Sequence, residues 1–168
     1  MAEIPSICQR WITVYSTSWC GQSRRAKALL TSHGLLFEDI DIDRDPSAAR
    51  QVENWNQGYR SVPTLDIRMI LIQPTLADLQ SILLVPGVQI ADLTIYTDAQ
   101  SPLSPHVASW FADYEIDYVK IQVEKDAEAA HQVRAWNKGT LALPALDVRF
   151  HLTEPVSEEL ERALGLTQ

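Results

Sequence analysis

Apolar residues along this chain follow two alternating rhythms, and the same succession of rhythms is spelled twice. Trp11 to Ser16 is β-branched and aromatic and ends in small polar residues, which predicts a strand, and Leu93 to Thr97 repeats it. A helix follows. Ala26, Leu29, Leu30 and His33 keep the spacing i, i+3, i+4, i+7, answered by Val107, Trp110, Phe111 and Tyr114, and Gly34 ends the first copy. Phe37 to Ile42 alternates like a half-buried strand. Asp45-Pro46 then sets a capping carboxylate before a proline suited to the first helical position, and the helix runs to about Asn56 with Gly58 as its left-handed exit. After Pro63, the runs Thr64 to Arg68 and Met69 to Gln73 read as two short paired strands. Pro74 and Thr75 introduce a last helix through Leu76, Leu79 and Leu83. The predicted order is βαβαββα, twice.

A shift of 81 without a gap lays residues 4–84 on 85–165 with 21 identities in 81 positions, against roughly one in sixteen for unrelated chains. The matches include Pro5 with Pro86, Tyr15 with Tyr96, Trp55-Asn56 with Trp136-Asn137, Gly58 with Gly139, Pro63 with Pro144 and Pro74 with Pro155. These are positions where the backbone is demanding, so they define a fold more than a chemistry. Two units of one α/β fold are expected, 4–84 and 85–165. Leu84 to Val88 opens the second unit and is no linker, so two packed domains with little hinge freedom are expected.

With 46% apolar and 21% charged residues, the 168-residue chain has the means to bury cores. Its net charge of −8 offers no basic surface for a phosphate backbone, and nucleic acid is not an expected partner. The first unit with its junction, through Gly87, carries 8 basic and 9 acidic residues, while the remainder carries 6 and 13. No apolar stretch approaches the roughly 20 residues of a membrane helix, and the opening Met1-Ala2-Glu3-Ile4-Pro5 has no basic segment before an apolar one. The expected location is cytoplasmic, with no membrane partner. Two cysteines, Cys8 and Cys20, cannot form a disulfide framework for a chain of this length.

Cys20 falls just after the first strand, where the next helix begins. A helix N-terminus presents unpaired N–H groups and roughly half a positive charge, which favours thiolate over thiol. The expectation is therefore a nucleophilic sulfur, open to solvent and held in anionic form. Arg24, Arg25 and Lys27 add positive potential, each of small weight on a solvated face. The alternative is a small buried apolar residue, the commonest fate of a free cysteine. Cys8 lies eight residues before Ser16, some 26 Å along an extended strand, against the roughly 7 Å a disulfide allows. It is assigned no role.

The string Trp19-Cys20-Gly21, followed by Asp41-Ile42-Asp43, Ala48-Ala49 and Gly58-Tyr59-Arg60-Ser61-Val62-Pro63-Thr64, resembles glutaredoxins, in particular the small actinobacterial type called mycoredoxin. The likeness covers nearly all of the first unit. It implies a thioredoxin fold in which Cys20 exchanges with mixed disulfides. It also implies a site formed by Trp19, Gly21, Gln22, Ser23, Arg60, Ser61, Val62 and Pro63, with Pro63 in the cis form and Val62 pairing its backbone with the thiol substrate. Three departures qualify the likeness. Ser23 replaces the second cysteine of Cys-x-x-Cys, so the unit resembles monothiol members. Asp66-Ile67-Arg68-Met69 stands where many glutaredoxins carry a Gly-Gly-Asp segment for glutathione, so the small thiol is left as glutathione, mycothiol or a similar compound. In the second unit Ser101-Pro102-Leu103-Ser104 replaces Cys20 to Ser23, and no cysteine remains there.

Other constellations carry less. Asp39, Asp41, Asp43 and Asp45 alternate like calcium ligands, but the sixth position is Arg44 in place of glycine and the twelfth is Arg50 in place of glutamate. The four histidines have no metal-ligand spacing, and Trp55 and Trp136 read as packing residues. The expected function is a monothiol thiol-disulfide oxidoreductase. It acts through Cys20 on mixed disulfides between client proteins and a low-molecular-weight thiol, which serves as co-substrate with no resident cofactor. The alternatives are a non-catalytic adaptor of thioredoxin fold, or an iron–sulfur cluster carrier in which two chains and two external thiols supply four thiolates.

Overall fold

The computed structural model describes residues 2–167; Met1, part of the opening read for a leader, lies outside them. The elements of the first unit are β1 (Ala2–Glu3), β2 (Ile7–Ser16), α1 (Gly21–Ser32), β3 (Glu38–Asp41), α2 (Pro46–Trp55), β4 (Thr64–Ile72) and α3 (Leu76–Leu83). Those of the second are β5 (Val88–Thr97), α4 (Pro105–Asp113), β6 (Val119–Gln122), α5 (Ala127–Trp136), β7 (Ala145–Thr153), α6 (Ser157–Ala163) and β8 (Leu166–Thr167), with a single 3₁₀ turn at Val123–Lys125. Local chemistry sets the boundaries. The Asp45 carboxylate accepts the Ala48 N–H at 3.0 Å with Pro46 beside it, and Asp126 does the same for Ala129. Thr75 and Asp78 cap α3 reciprocally.

The α/β class and the tandem thioredoxin-like units are those expected, with one difference in detail. The two short strands expected at Thr64 to Arg68 and Met69 to Gln73 are one strand, β4, and the same holds for β7. No glycine, proline or asparagine lies within either run to turn it. The strand phase is broken because Ile70 and Ile72 are apolar on the face that begins with Thr64, Asp66 and Arg68, and Ile70 is buried there in the cluster under α5 of the other unit, with Val133 and Trp136. A sequence pattern read within one unit cannot see a cover supplied by the other.

Each unit therefore lacks the strand that would have paired with its third, and the two third strands pair with each other. β4 and β7 run antiparallel from Thr64 opposite Thr153 to Ile72 opposite Ala145, joining the halves into one sheet of order β3-β2-β4-β7-β5-β6. Arg68 stands opposite Arg149, its own repeat equivalent, so the pseudo-twofold axis passes through this pair. Around the axis the ion pairs are reciprocal and bidentate: Arg68 to Asp147 at 2.9 and 2.8 Å, Arg149 to Asp66 at 2.8 and 2.7 Å. The Arg68 guanidinium also lies 4.5 Å over the Trp11 ring.

The opposite face of the seam is apolar. Leu65, Ile67, Met69, Leu71, Leu146, Val148, Phe150 and Leu152 are buried in one core that α1, α3, α4 and α6 of both units cover. Smaller clusters lie under α2 and α5 on the other face. Helix α2 reaches across the seam, where Trp55 stacks on His151 with centroids 3.9 Å apart. The chain ends also meet, β1 pairing with β8.

The seam makes three predictions. Phe150→Ala should cost about 3–5 kcal/mol in denaturant unfolding. The Arg68–Asp147 coupling in a double-mutant cycle should stay below about 1 kcal/mol, because both side chains keep partial access to water. A chain cut to residues 1–84 should sediment as a dimer or aggregate and not as a folded monomer, because β4 would lose the partner that covers its edge.

Candidate active site

Cys20 is the N-cap of α1. Its backbone is extended at φ −82° and ψ 116°, and its sulfur accepts the Ser23 N–H at 3.4 Å. Such a donor is one that a helix's first turn leaves unpaired. On its other side the Cys20 thiol donates to the Val62 carbonyl at 3.6 Å, and the Val62–Pro63 peptide is cis. The sulfur thus faces the proline-containing bend. Cys20, Val62, Ile42, Ala48, Ala49 and Val52 form the small apolar cluster under α2.

Cys20 is 8% exposed, so the expectation of an open sulfur is not met. The small side chains of that cluster pack up to it. Its rim is nonetheless exposed: Trp19, Gln22, Tyr59 and Arg60 all face solvent, so the sulfur lies just beneath the surface. Burial is the strongest single influence on this thiol and pushes its pKa up. The Ser23 hydroxyl and the backbone N–H groups of Ser23 and Gln22 outweigh it, and the net direction is below the ordinary thiol value despite the opposing Glu154 carboxylate. Among the described residues the fully buried Ser23 hydroxyl has no hydrogen-bond partner of its own, so its O–H can turn toward a sulfur anion.

Gly21 opens α1. Trp19 is held out over the surface by its indole N–H, which donates to Asp43 at 3.0 Å. Arg60 is ion-paired with Glu53. The Ser61 carbonyl accepts the Thr64 hydroxyl at 2.8 Å, and Asn56 in turn donates to Thr64 Oγ1 at 3.1 Å, which ties the bend to the end of α2. The nearby cations are engaged elsewhere: Arg24 donates to the Ser18 carbonyl and Lys27 to Asp39. Cys8 lies at a bulge near the start of β2, its thiol pushed up, chiefly by burial.

Reasoning from the sequence missed the second unit's share. The Glu154 N–H donates to the Pro63 carbonyl at 2.8 Å, and the Thr153 hydroxyl donates to Asn56 Oδ1 at 2.7 Å. Pro155, Val156, Ser157 and Leu160 close a cavity of about 160 Å³ against Gln22, Arg25 and Ala26 of α1. Residues 153–160 carry no local motif; their one sequence signal is the repeat, which sets Gln73 and Glu154 at equivalent positions. The contact is reciprocal, since the Gln73 N–H donates to the carbonyl of cis-Pro144 at 2.8 Å. In the second unit, however, Ser101 stands at the cysteine position and Leu141 at that of Arg60.

A single thiol capping the first helix of a thioredoxin-like unit, opposite a cis-proline bend, defines a thiol protein of the monothiol type, with Ser23 where a second cysteine would resolve the first. Comparison with known proteins agrees. Residues 12–71 match the glutaredoxin family model. Two sequences of Mycobacterium tuberculosis, strains CDC 1551 and H37Rv, carry the name glutaredoxin. Each is 41% identical over 54 residues, 32% of this chain and 64% of the relative. The glutaredoxin-like protein NrdH of Lactococcus lactis is 33% identical over 54 residues, 32% of this chain and 72% of that protein. The chain belongs to the glutaredoxin family, and it spans 64% of the length of the Mycobacterium relatives. Among the described residues no group of three or more His, Cys, Asp or Glu side chains forms a metal site, and no helix is long and apolar enough to cross a membrane.

The two thiols should separate in pH. Cys20 should alkylate with a midpoint below the ordinary value of about 8.5 and Cys8 above it, read by mass spectrometry of peptides after timed labelling. Ser23→Ala should move the Cys20 midpoint up and leave that of Cys8 unchanged.

Proposed function

We propose that this protein is a monothiol oxidoreductase in which residues 4–84 carry the reaction and residues 85–165 are a cysteine-free unit that supports it. The Cys20 thiolate attacks the small-thiol sulfur of a mixed disulfide on a client protein. A bond forms between Cys20 and the small thiol, the disulfide to the client breaks, and the client leaves as a thiolate that takes up a proton. A second small-thiol anion then attacks the sulfur of the bound small thiol. It leaves as a symmetrical small-molecule disulfide, and Cys20 returns as thiolate. The net exchange converts the mixed disulfide and one small-thiol anion into the client thiol and a symmetrical disulfide, so one free small thiol is oxidised for each client thiol released. Glutathione and mycothiol are the candidate co-substrates, and no other cofactor takes part.

The observation that carries this reading is the sulfur between the Ser23 N–H and the Val62 carbonyl, because the N–H stabilises the anion and the carbonyl belongs to the bend that an incoming disulfide would meet. Val62 would pair its backbone with the bound disulfide, while Trp19, Gly21, Gln22, Arg60, Ser61 and Pro63 would line its approach. Asp66, Ile67, Arg68 and Met69, which stand where many glutaredoxins carry a glutathione-binding segment, lie in the seam strand β4. That segment is committed to pairing with the second unit, which favours a small thiol held by other contacts. A cytoplasmic location suits a thiol that must be kept reduced.

The decisive experiment follows reduction of a protein–small-thiol mixed disulfide with glutathione or mycothiol in excess. Cys20→Ser should lower turnover to the uncatalysed rate with unchanged unfolding behaviour, and Cys8→Ser should leave it intact. Glu154→Gln removes a carboxylate that raises the Cys20 pKa, so its labelling midpoint should fall. Failure of Cys20 to react in the folded chain would remove the enzymatic reading and leave a non-catalytic adaptor.

A further inference from the structure

A groove of about 560 Å³ lies in the second unit, and none of the residues around Cys20 lines it. It runs beside the first half of β5. Strand β6 pairs only with Thr94–Thr97, so that edge of β5 has no strand before Thr94. The opposite wall is the segment from Tyr114 to Val119, and the end of α3 at Leu83 and Leu84 closes the groove.

The repeat identifies what this groove lacks. Leu83 and Ala91 occupy the positions of Leu164 and Arg10. In the first unit Arg10 Nε donates to the Leu164 carbonyl at 2.8 Å and Nη1 donates to Glu3 at 3.3 Å, and the side chain is only 11% exposed. A guanidinium of the chain itself thus bridges strand edge and helix end there. In the second unit that arginine is an alanine. The strand bulge has also moved, from Cys8 to Ala91.

Charge has changed in the complementary sense. Asp92, Glu115 and Asp117 line the groove where the first unit has Trp11, Gly34 and Leu36, and no basic residue lines it. Asp92 stands opposite Arg149 in the sheet, but among the described residues Glu115 and Asp117 have no cationic partner within 4.0 Å. The α3 C-terminus adds its negative pole. Tyr114, Tyr118, Val119 and Leu84 add exposed apolar surface to the lining. The groove combines carboxylates with apolar side chains along its lining, with a strand edge alongside.

We propose that this groove docks an arginine side chain of a partner polypeptide. The guanidinium occupies the space that Arg10 fills in the first unit, against the end of α3 and the Glu115 and Asp117 carboxylates. The arginine methylenes and an apolar neighbour cover Tyr118 and Val119. Arginine suits this site better than lysine, because a planar fork can reach a carbonyl and a carboxylate together.

The test titrates the full chain with an acetylated, amidated pentapeptide bearing arginine between leucines, with lysine and citrulline versions alongside, and follows ¹⁵N amide shifts. The arginine peptide should shift resonances of Ala91, Leu84 and Tyr114 to Val119, and the citrulline version should bind about tenfold more weakly or not at all. Glu115→Gln combined with Asp117→Asn should weaken arginine binding by a similar factor. Ala91→Arg should block the groove from within, and Cys20→Ser should leave binding unchanged. Equal affinity for arginine and citrulline, shifts confined to other surfaces, or binding undiminished in the Glu115→Gln/Asp117→Asn chain would each overturn the proposal.

Discussion

The antiparallel pairing of β4 with β7 is the constraint on which the rest of this structure depends. A sheet edge is a row of unpaired N–H and C=O groups that must be paired, covered or exposed to water. Each unit closes its third strand with the third strand of the other, and each strand buries its apolar face in the core beneath the seam. Hydrophobic burial supplies most of the cohesion. The reciprocal arginine–aspartate pairs contribute less energy, but they oppose any slip in register, because a shift of one residue would turn the charges into the core.

The same pairing explains how a unit without a cysteine belongs to a thiol site. Because the seam runs from Thr64 opposite Thr153, the residues that follow β7 arrive at the bend carrying Pro63. Glu154 and Thr153 fasten that bend, while Pro155 and the start of α6 abut α1 beside Gln22. Two of the elements that hold Cys20, the bend and the helix it caps, thus rest on the second unit. The contact is pseudo-symmetric, but the chemistry is confined to one side.

Divergence between the copies is greatest where symmetry asks least of the sequence. The seam keeps leucine, aspartate and arginine at 65, 66 and 68 and again at 146, 147 and 149. Away from it the first copy fills the gap at its strand edge with Arg10, and the second opens a groove at Ala91 and surrounds it with carboxylates. Three of the thirteen carboxylates of the second half, Asp92, Glu115 and Asp117, therefore have a structural address.

The sequence by itself determined the repeat, the succession of helices and strands, and the place of Cys20 at the start of α1, while the bend at Pro63 was legible only through the family resemblance. The first three rest on local chemistry: side-chain period, cap residues and the fixed offset of 81. The tertiary structure alone decided that β4 is one strand, that Ile70 is buried under α5, that Cys20 is covered, and that Glu154 reaches its bend. The cover over Cys20 comes from residues 42 to 62 of its own unit, and the others depend on atoms from the other unit some eighty residues away; no periodicity within one element encodes which neighbour will cover a given face.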